Sequence, residues 1–133
     1  PHGEAGVVAI FTTKLLAGEQ PVINGEGKQT RDYVFVGDVV RANVLALNCQ
    51  GSHIFNIGTG VETDVNQLFN HISDATKSSA EEKHGPSKKG EQMRSVLSSD
   101  KIQKQLGWKP SVTLAEGLGR TVEYFRTKEG YGA

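Results

Sequence analysis

The chain has 133 residues, 36% hydrophobic and 23% charged, a balance that suits one soluble domain with its own core and excludes a disordered chain. Fifteen basic residues against fifteen acidic ones leave no net field to draw nucleic acid or an anionic membrane surface, and no apolar run approaches the roughly 20 residues a spanning helix needs. Cys49 is the only cysteine, which excludes an internal disulfide and a thiolate metal cluster and fits a reducing cytoplasm.

Residues 6–16 set Val7, Val8, Ile10, Phe11, Leu15 and Leu16 at helical spacing, and the pattern stops before Gly18, where a C-terminal glycine belongs. Residues 21–24 and 29–36 are β-prone runs separated by Gly25-Glu26-Gly27-Lys28. The spacing predicts two strands joined by a hairpin turn, with Arg31, Tyr33 and Phe35 sharing one face of the second. Asp38 is placed to cap a helix through Val39, Val40, Val44, Leu45 and Leu47 that ends before Gly51, and residues 54–57 read as a strand.

Gly58-Thr59-Gly60 then turns the chain, and Asp64 with Gln67 forms a capping pair for a helix whose Val65, Leu68, Phe69, Ile72 and Ala75 line one stripe. Residues 77–93 shift to Ser, Lys, Glu, Gly and Pro, an exposed loop and the best place for a ligand-gripping segment. Residues 94–97 suggest a short strand, Ser99 a cap for a small helix ending at Gly107, and Trp108 and Pro110 its exit. Thr113 and Glu116 make a capping box for a last helix with Leu114, Leu118, Val122 and Phe125 inward. The order of elements predicts a mixed α/β fold in one domain, residues 1–133.

Most motifs fail on their context. A dinucleotide site needs glycines between a strand and the helix it feeds, and Gly25 and Gly27 lie instead between two predicted strands, with Thr30 where a third glycine should stand. Gly58-Thr59-Gly60 does precede a helix, but the Lys and Ser/Thr of a P-loop are missing. Tyr124 and Lys128 have the four-residue spacing of a proton-transfer pair, yet fall at a helix end. His2, His53, His71 and His84 lack metal-ligand spacing. The remaining feature is Arg31 together with the loop bearing Lys88, Lys89, Glu91 and Arg94. An arginine fork matches phosphate oxygens bidentately, so these charges suit a diphosphate; from spacing alone they read more readily as solvated surface charges.

The stretch Gly25-Glu26-Gly27-Lys28-Gln29-Thr30-Arg31-Asp32-Tyr33-Val34-Phe35-Val36-Gly37-Asp38-Val39-Val40-Arg41-Ala42 resembles the segment G-x-G-x-Q-x-R-D-Y/F-x-x-V-x-D-V/L-x-x-A of extended short-chain dehydrogenase/reductases. Phe55-Asn56-Ile57-Gly58-Thr59-Gly60 is similar to that family's Y/F-N-I/L-G-x-G turn, and Leu106-Gly107-Trp108-Lys109-Pro110 to its L-G-W-x-P signature. Among the family's branches, the UDP-glucose 4-epimerases are the nearest in pattern. The likeness covers nearly the whole chain but concerns the second half of the family's length. It therefore implies the C-terminal substrate-binding lobe, without the complete Rossmann domain that holds NAD and without the catalytic serine, tyrosine and lysine. A start at Pro1, with no leader pattern, is likewise expected of a piece of a longer protein.

By position the resemblance gives Arg31 the diphosphate of a UDP- or dTDP-sugar, Val22 and Asn24 the edge of the base, and Lys88 and Glu91 the phosphate and ribose. Arg94 adds a further contact. Lys88 stands where relatives often carry arginine, replacing a fork by a point charge. Residues 38–60 are expected to pack against the missing NAD-binding domain, leaving Val39, Val44 and Ile57 exposed in the isolated chain. The parent is expected to be a homodimeric epimerase that uses NAD, with a nucleotide-sugar 4,6-dehydratase, a UDP-glucuronate decarboxylase or a stand-alone nucleoside-diphosphate-binding module as alternatives, and the chain alone is expected to be inactive.

Overall fold

Three helices build the main core of the computed structural model, which describes residues 6–128. They are α1 (Val7–Leu16), α3 (Val65–Thr76) and α5 (Leu114–Lys128), with α3 packed against both others. The α3 stripe follows directly from its sequence: Val65, Leu68, Phe69 and Ile72 recur at helical spacing and are buried. They meet Phe11 and Leu15 of α1 and Leu118 and Val122 of α5. Phe11 and Phe69 cross edge to face at 5.8 Å.

The start of α3 is fixed locally, as expected. The Gln67 amide donates to Asp64 Oδ1 at 2.8 Å, and the Asp64 amide donates back to the Gln67 side chain at 3.0 Å. Likewise α1 ends on Gly18 at φ +71°, where an L side chain would be strained.

The strands are short, and they pair differently from the expected hairpin. β1 (Ile23–Asn24) runs parallel to β4 (His84–Gly85), and β2 (Thr30–Arg31) runs antiparallel to β3 (Thr63–Asp64). Gly25 and Gly27 do adopt positive φ of 63° and 70°, but the turn they make hands the chain from one two-stranded ladder to the other. The long run predicted over 29–36 gives only β2. Residues 54–57 and 94–97 form no ladder, because no strand lies beside them among the described residues.

A second, smaller cluster joins α2 (Val36–Ala46) to α4 (Asp100–Leu106) through Ala42, Ile102 and Trp108, with Phe55 and Ile57 packed against it. Helix α2 begins earlier than its sequence suggests, with Phe35 as its N-cap, so Asp38 is not a cap. Its carboxylate is buried and turned toward the segment before α5. Ser99 stands before α4 without capping it, since its hydroxyl donates to the Gly58 carbonyl at 2.7 Å and accepts from the Gly58 amide at 2.9 Å. Only half of the Thr113 and Glu116 capping box forms: the Glu116 amide donates to Thr113 Oγ1 at 3.3 Å, while the Glu116 carboxylate pairs with Arg120.

The opposite face of α2 has no cover. Val36, Val40, Val44 and Leu47 are 56–82% exposed on one side of the helix. Of the expected trio only Val44 belongs to that stripe, because Val39 is half-buried and Ile57 is taken up by the second cluster.

Candidate functional site

Arg31 leaves β2 with its guanidinium over a pocket of about 180 Å³. Nη1 donates to the Thr30 carbonyl and to the Gln92 carbonyl, each at 2.7 Å, which ties the strand to the loop that closes the pocket. No further hydrogen bond or ion pair of this guanidinium occurs within the described residues, which leaves the Nη2 and Nε edge unpaired beside the pocket that Arg31 lines. That edge has the fork geometry suited to paired phosphate or carboxylate oxygens.

The structure brings Val22, Asn24, Arg31 and Glu91 around this one pocket. Val22 and Asn24 come from β1 and its approach, held in place by the parallel ladder to β4. Glu91 arrives from the loop through a turn in which its amide donates to the Lys88 carbonyl at 3.3 Å, with Gly90 at φ +81°. Lys88 and Arg94 are not among the pocket's lining. The Lys88 side chain is exposed, and Arg94 pairs with Glu62 at 2.5 Å, in a cluster where Thr30 Oγ1 also donates to Glu62 at 3.1 Å. The bond from Arg94 outweighs partial burial and holds the Glu62 carboxyl below its ordinary value.

Two polar residues of the pocket were not singled out from the sequence as site residues. Gln29 is buried and spans the pocket wall, its amide nitrogen 3.3 Å from both the Asn24 carbonyl and Glu91 Oε2. Tyr33 supplies a second wall. Alternation was the available signal, since positions 29, 31 and 33 project to one side of an extended chain.

Next to Arg31, Asp32 faces the other way and closes the turn at Gly58–Gly60. Its carboxylate accepts from the Thr59 amide at 2.8 Å, the Thr59 hydroxyl at 2.6 Å, the Gly60 amide at 2.9 Å and the Leu97 amide at 3.3 Å. Burial pushes this carboxyl up, but the four hydrogen bonds outweigh it and hold it below its usual range. The amides that gave Gly58-Thr59-Gly60 its promise as an anion site are thus occupied by the protein's own anion. The Thr59 and Gly60 amides of that turn are therefore not free for a pyrophosphate.

Asp38 plays the same part on a second connection. It accepts from the Ser111 amide and hydroxyl, the Val112 amide and Arg41, with Arg41 Nη2 2.6 Å away. Burial raises this carboxyl and the hydrogen bonds, led by Ser111, overcome it, so it stays far below the ordinary carboxylate value. The Asp38 backbone carbonyl also accepts from Trp108 Nε1 at 2.9 Å, which satisfies the one polar atom of a fully buried indole. At the far end of α5, Lys128 Nζ donates to Tyr124 Oη at 2.7 Å with both residues exposed, so that pair belongs to the helix surface.

No described helix is long and apolar enough to cross a membrane. His2 lies outside the described residues.

Residues 4–121 match the sequence model of the family described as GDP-mannose 4,6 dehydratase. The chain is 50% identical over 96% of its length to UDP-glucose 4-epimerase of Mycolicibacterium smegmatis, where it corresponds to 41% of that protein. Its structure superposes on that of Thermotoga maritima UDP-glucose 4-epimerase with UDP-glucose at a TM-score of 0.92 and 50% identity, covering 97% of this chain and 42% of that one. Thermus thermophilus UDP-glucose 4-epimerase, in complex with NAD, follows at 0.84 and 38% identity, over 96% of this chain and 42% of that one. The chain thus spans about two-fifths of the length of the relatives it matches. The R-D-Y strand, the Gly58–Gly60 turn and the buried Trp108 all fall within the matched residues, and the chain belongs to the NAD-dependent epimerase/dehydratase family of extended short-chain dehydrogenase/reductases.

Proposed function

We propose that this chain is the nucleotide-sugar-binding part of an NAD-dependent epimerase of the UDP-glucose 4-epimerase type. The observation that carries the reading is the unpaired guanidinium edge of Arg31 beside a pocket also lined by Val22, Asn24 and Glu91. In this reading Arg31 holds the diphosphate of a UDP- or dTDP-sugar, Val22 and Asn24 border the base, and Glu91 accepts from the ribose hydroxyls. Lys88 and Arg94 add positive charge at the rim. Orientation is the chain's contribution: a sugar carbon must come within about 3.5 Å of its reaction partner, and fixing it there lowers the barrier without any bond changing in this part. The acid–base residues and the NAD site belong to the remainder of the parent, so the chain alone is inactive.

The uncovered α2 face of Val36, Val40, Val44 and Leu47 and the exposed Ile54 are where that remainder packs. Ile54 is 82% exposed, as expected of a side chain whose neighbour comes from elsewhere. The epimerase assignment draws on 50% identity to two epimerases, whereas the matching family model bears a dehydratase's description.

Calorimetric titration with UDP-glucose tests the reading. Binding by the chain that Arg31→Ala weakens on the order of tenfold or more supports it, a size matching the loss of a charge-assisted hydrogen bond. Indifference of the unaltered chain to UDP-glucose and to dTDP-glucose would sink it.

A further inference from the structure

One polar atom beside the pocket has no partner. The Tyr33 hydroxyl is shielded from solvent and makes no hydrogen bond, while its ring lines the same cavity as Arg31 and Glu91 and packs against the main core. Burial without a partner costs a hydroxyl its bonds to water and returns nothing, so a phenyl ring would serve the ligand-free fold better. Burial keeps the phenol above its ordinary pKa, with Arg31 opposing and Glu91 reinforcing that shift, so it remains a donor.

We propose that Tyr33 is a further ligand-recognising residue of this pocket, its hydroxyl donating to a phosphate oxygen of the nucleoside diphosphate that the unpaired edge of Arg31 holds. The inference rests on the nucleotide-sugar reading above. Positions 31 and 33 project to the same side of the chain, which sets the two donors next to each other. The hydroxyl is shielded in the ligand-free chain, so this role includes a displacement of the pocket wall on ligand entry that brings it against a phosphate oxygen. Tyr33 thereby raises affinity for the phosphorylated ligand and takes no part in bond making.

Tyr33→Phe tests this with two readouts that a purely structural hydroxyl would not move in opposite directions. In thermal melts without ligand, the variant is expected to melt a few degrees higher than the unaltered chain, since an unsatisfied buried group is removed and the ring retained. In calorimetric titration with UDP, its affinity is expected to fall on the order of tenfold. An unchanged UDP affinity overturns the proposal, and so does a lower melting temperature, which would mean that the hydroxyl has a partner in the protein. Failure of the unaltered chain to bind UDP at all removes the nucleotide-sugar reading and this inference together, whereas binding that Tyr33→Phe leaves intact removes only this one.

Discussion

Ser111 donates both its amide and its hydroxyl, at 2.9 and 2.6 Å, to the carboxylate of Asp38, which lies 73 positions earlier and is 2% exposed. One short side chain therefore ties the start of α2 to the approach to α5, with the Val112 amide and Arg41 completing its shell. Replacing Asp38 by Ala leaves these donors without their acceptor, and the expected loss of stability is about 2–4 kcal/mol, read as a lower denaturant midpoint at unchanged slope. A loss under about 0.5 kcal/mol would contradict the clasp.

Acid should loosen the fold through the same groups. The Asp32 and Asp38 carboxyls are both depressed in the folded chain relative to their unfolded value near 3.9. Their contribution is then complete above that value and is lost as the pH falls below it toward the folded pKa values. Melting temperatures are expected to be flat in this respect from pH 7 to about 5 and to drop below about pH 4. The double variant Asp32→Asn with Asp38→Asn should start lower and lose part of that acid-dependent drop. An undiminished drop in the double variant would place the acid sensitivity elsewhere.

The fork of Arg31 should matter as well as its charge. Arg31→Lys keeps the positive charge, but its three N–H groups cannot hold the Thr30 and Gln92 carbonyls and still present a planar two-donor edge. Its UDP-glucose affinity is expected to fall nearly as far as that of Arg31→Ala, whereas Arg94→Lys, at a side chain paired with Glu62, should change it by less than about threefold. Equal losses at positions 31 and 94 would show that the pocket is drawn too narrowly.

Self-association is expected of the isolated chain through the uncovered side of α2. Val44→Lys with Leu47→Glu should reduce it in sedimentation velocity, while stability changes by less than about 0.5 kcal/mol, because these side chains are 56% and 82% exposed. A chain that is already monomeric at high concentration would refute this.

The helices were readable in the sequence because their signals are local. Asp64 and Gln67 cap α3 from three residues apart, and the stripe from Val65 to Ile72 follows the helical period whatever lies beside it. Strand pairing was not readable, since Ile23 meets His84 and Thr30 meets Asp64 across long stretches that no short-range pattern encodes. The hairpin expectation failed there: positive φ at Gly25 and Gly27 marks a turn but does not say what the flanking residues pair with. Asp38 looked like a cap for the same reason, as its partner Ser111 is remote. Arg94 and Arg31 looked alike as candidate anion ligands, and only the position of Glu62 separates them.

Consecutive residues Arg31 and Asp32 point to opposite sides of one short strand, the first at the cavity and the second at the amides of Thr59 and Gly60. The cavity's main cation is consequently aimed by a turn that touches no part of the cavity. Anyone transplanting this pocket to another scaffold would have to carry residues 58–60 along with it, since without them the guanidinium would lose its bearing although every wall of the pocket had been copied.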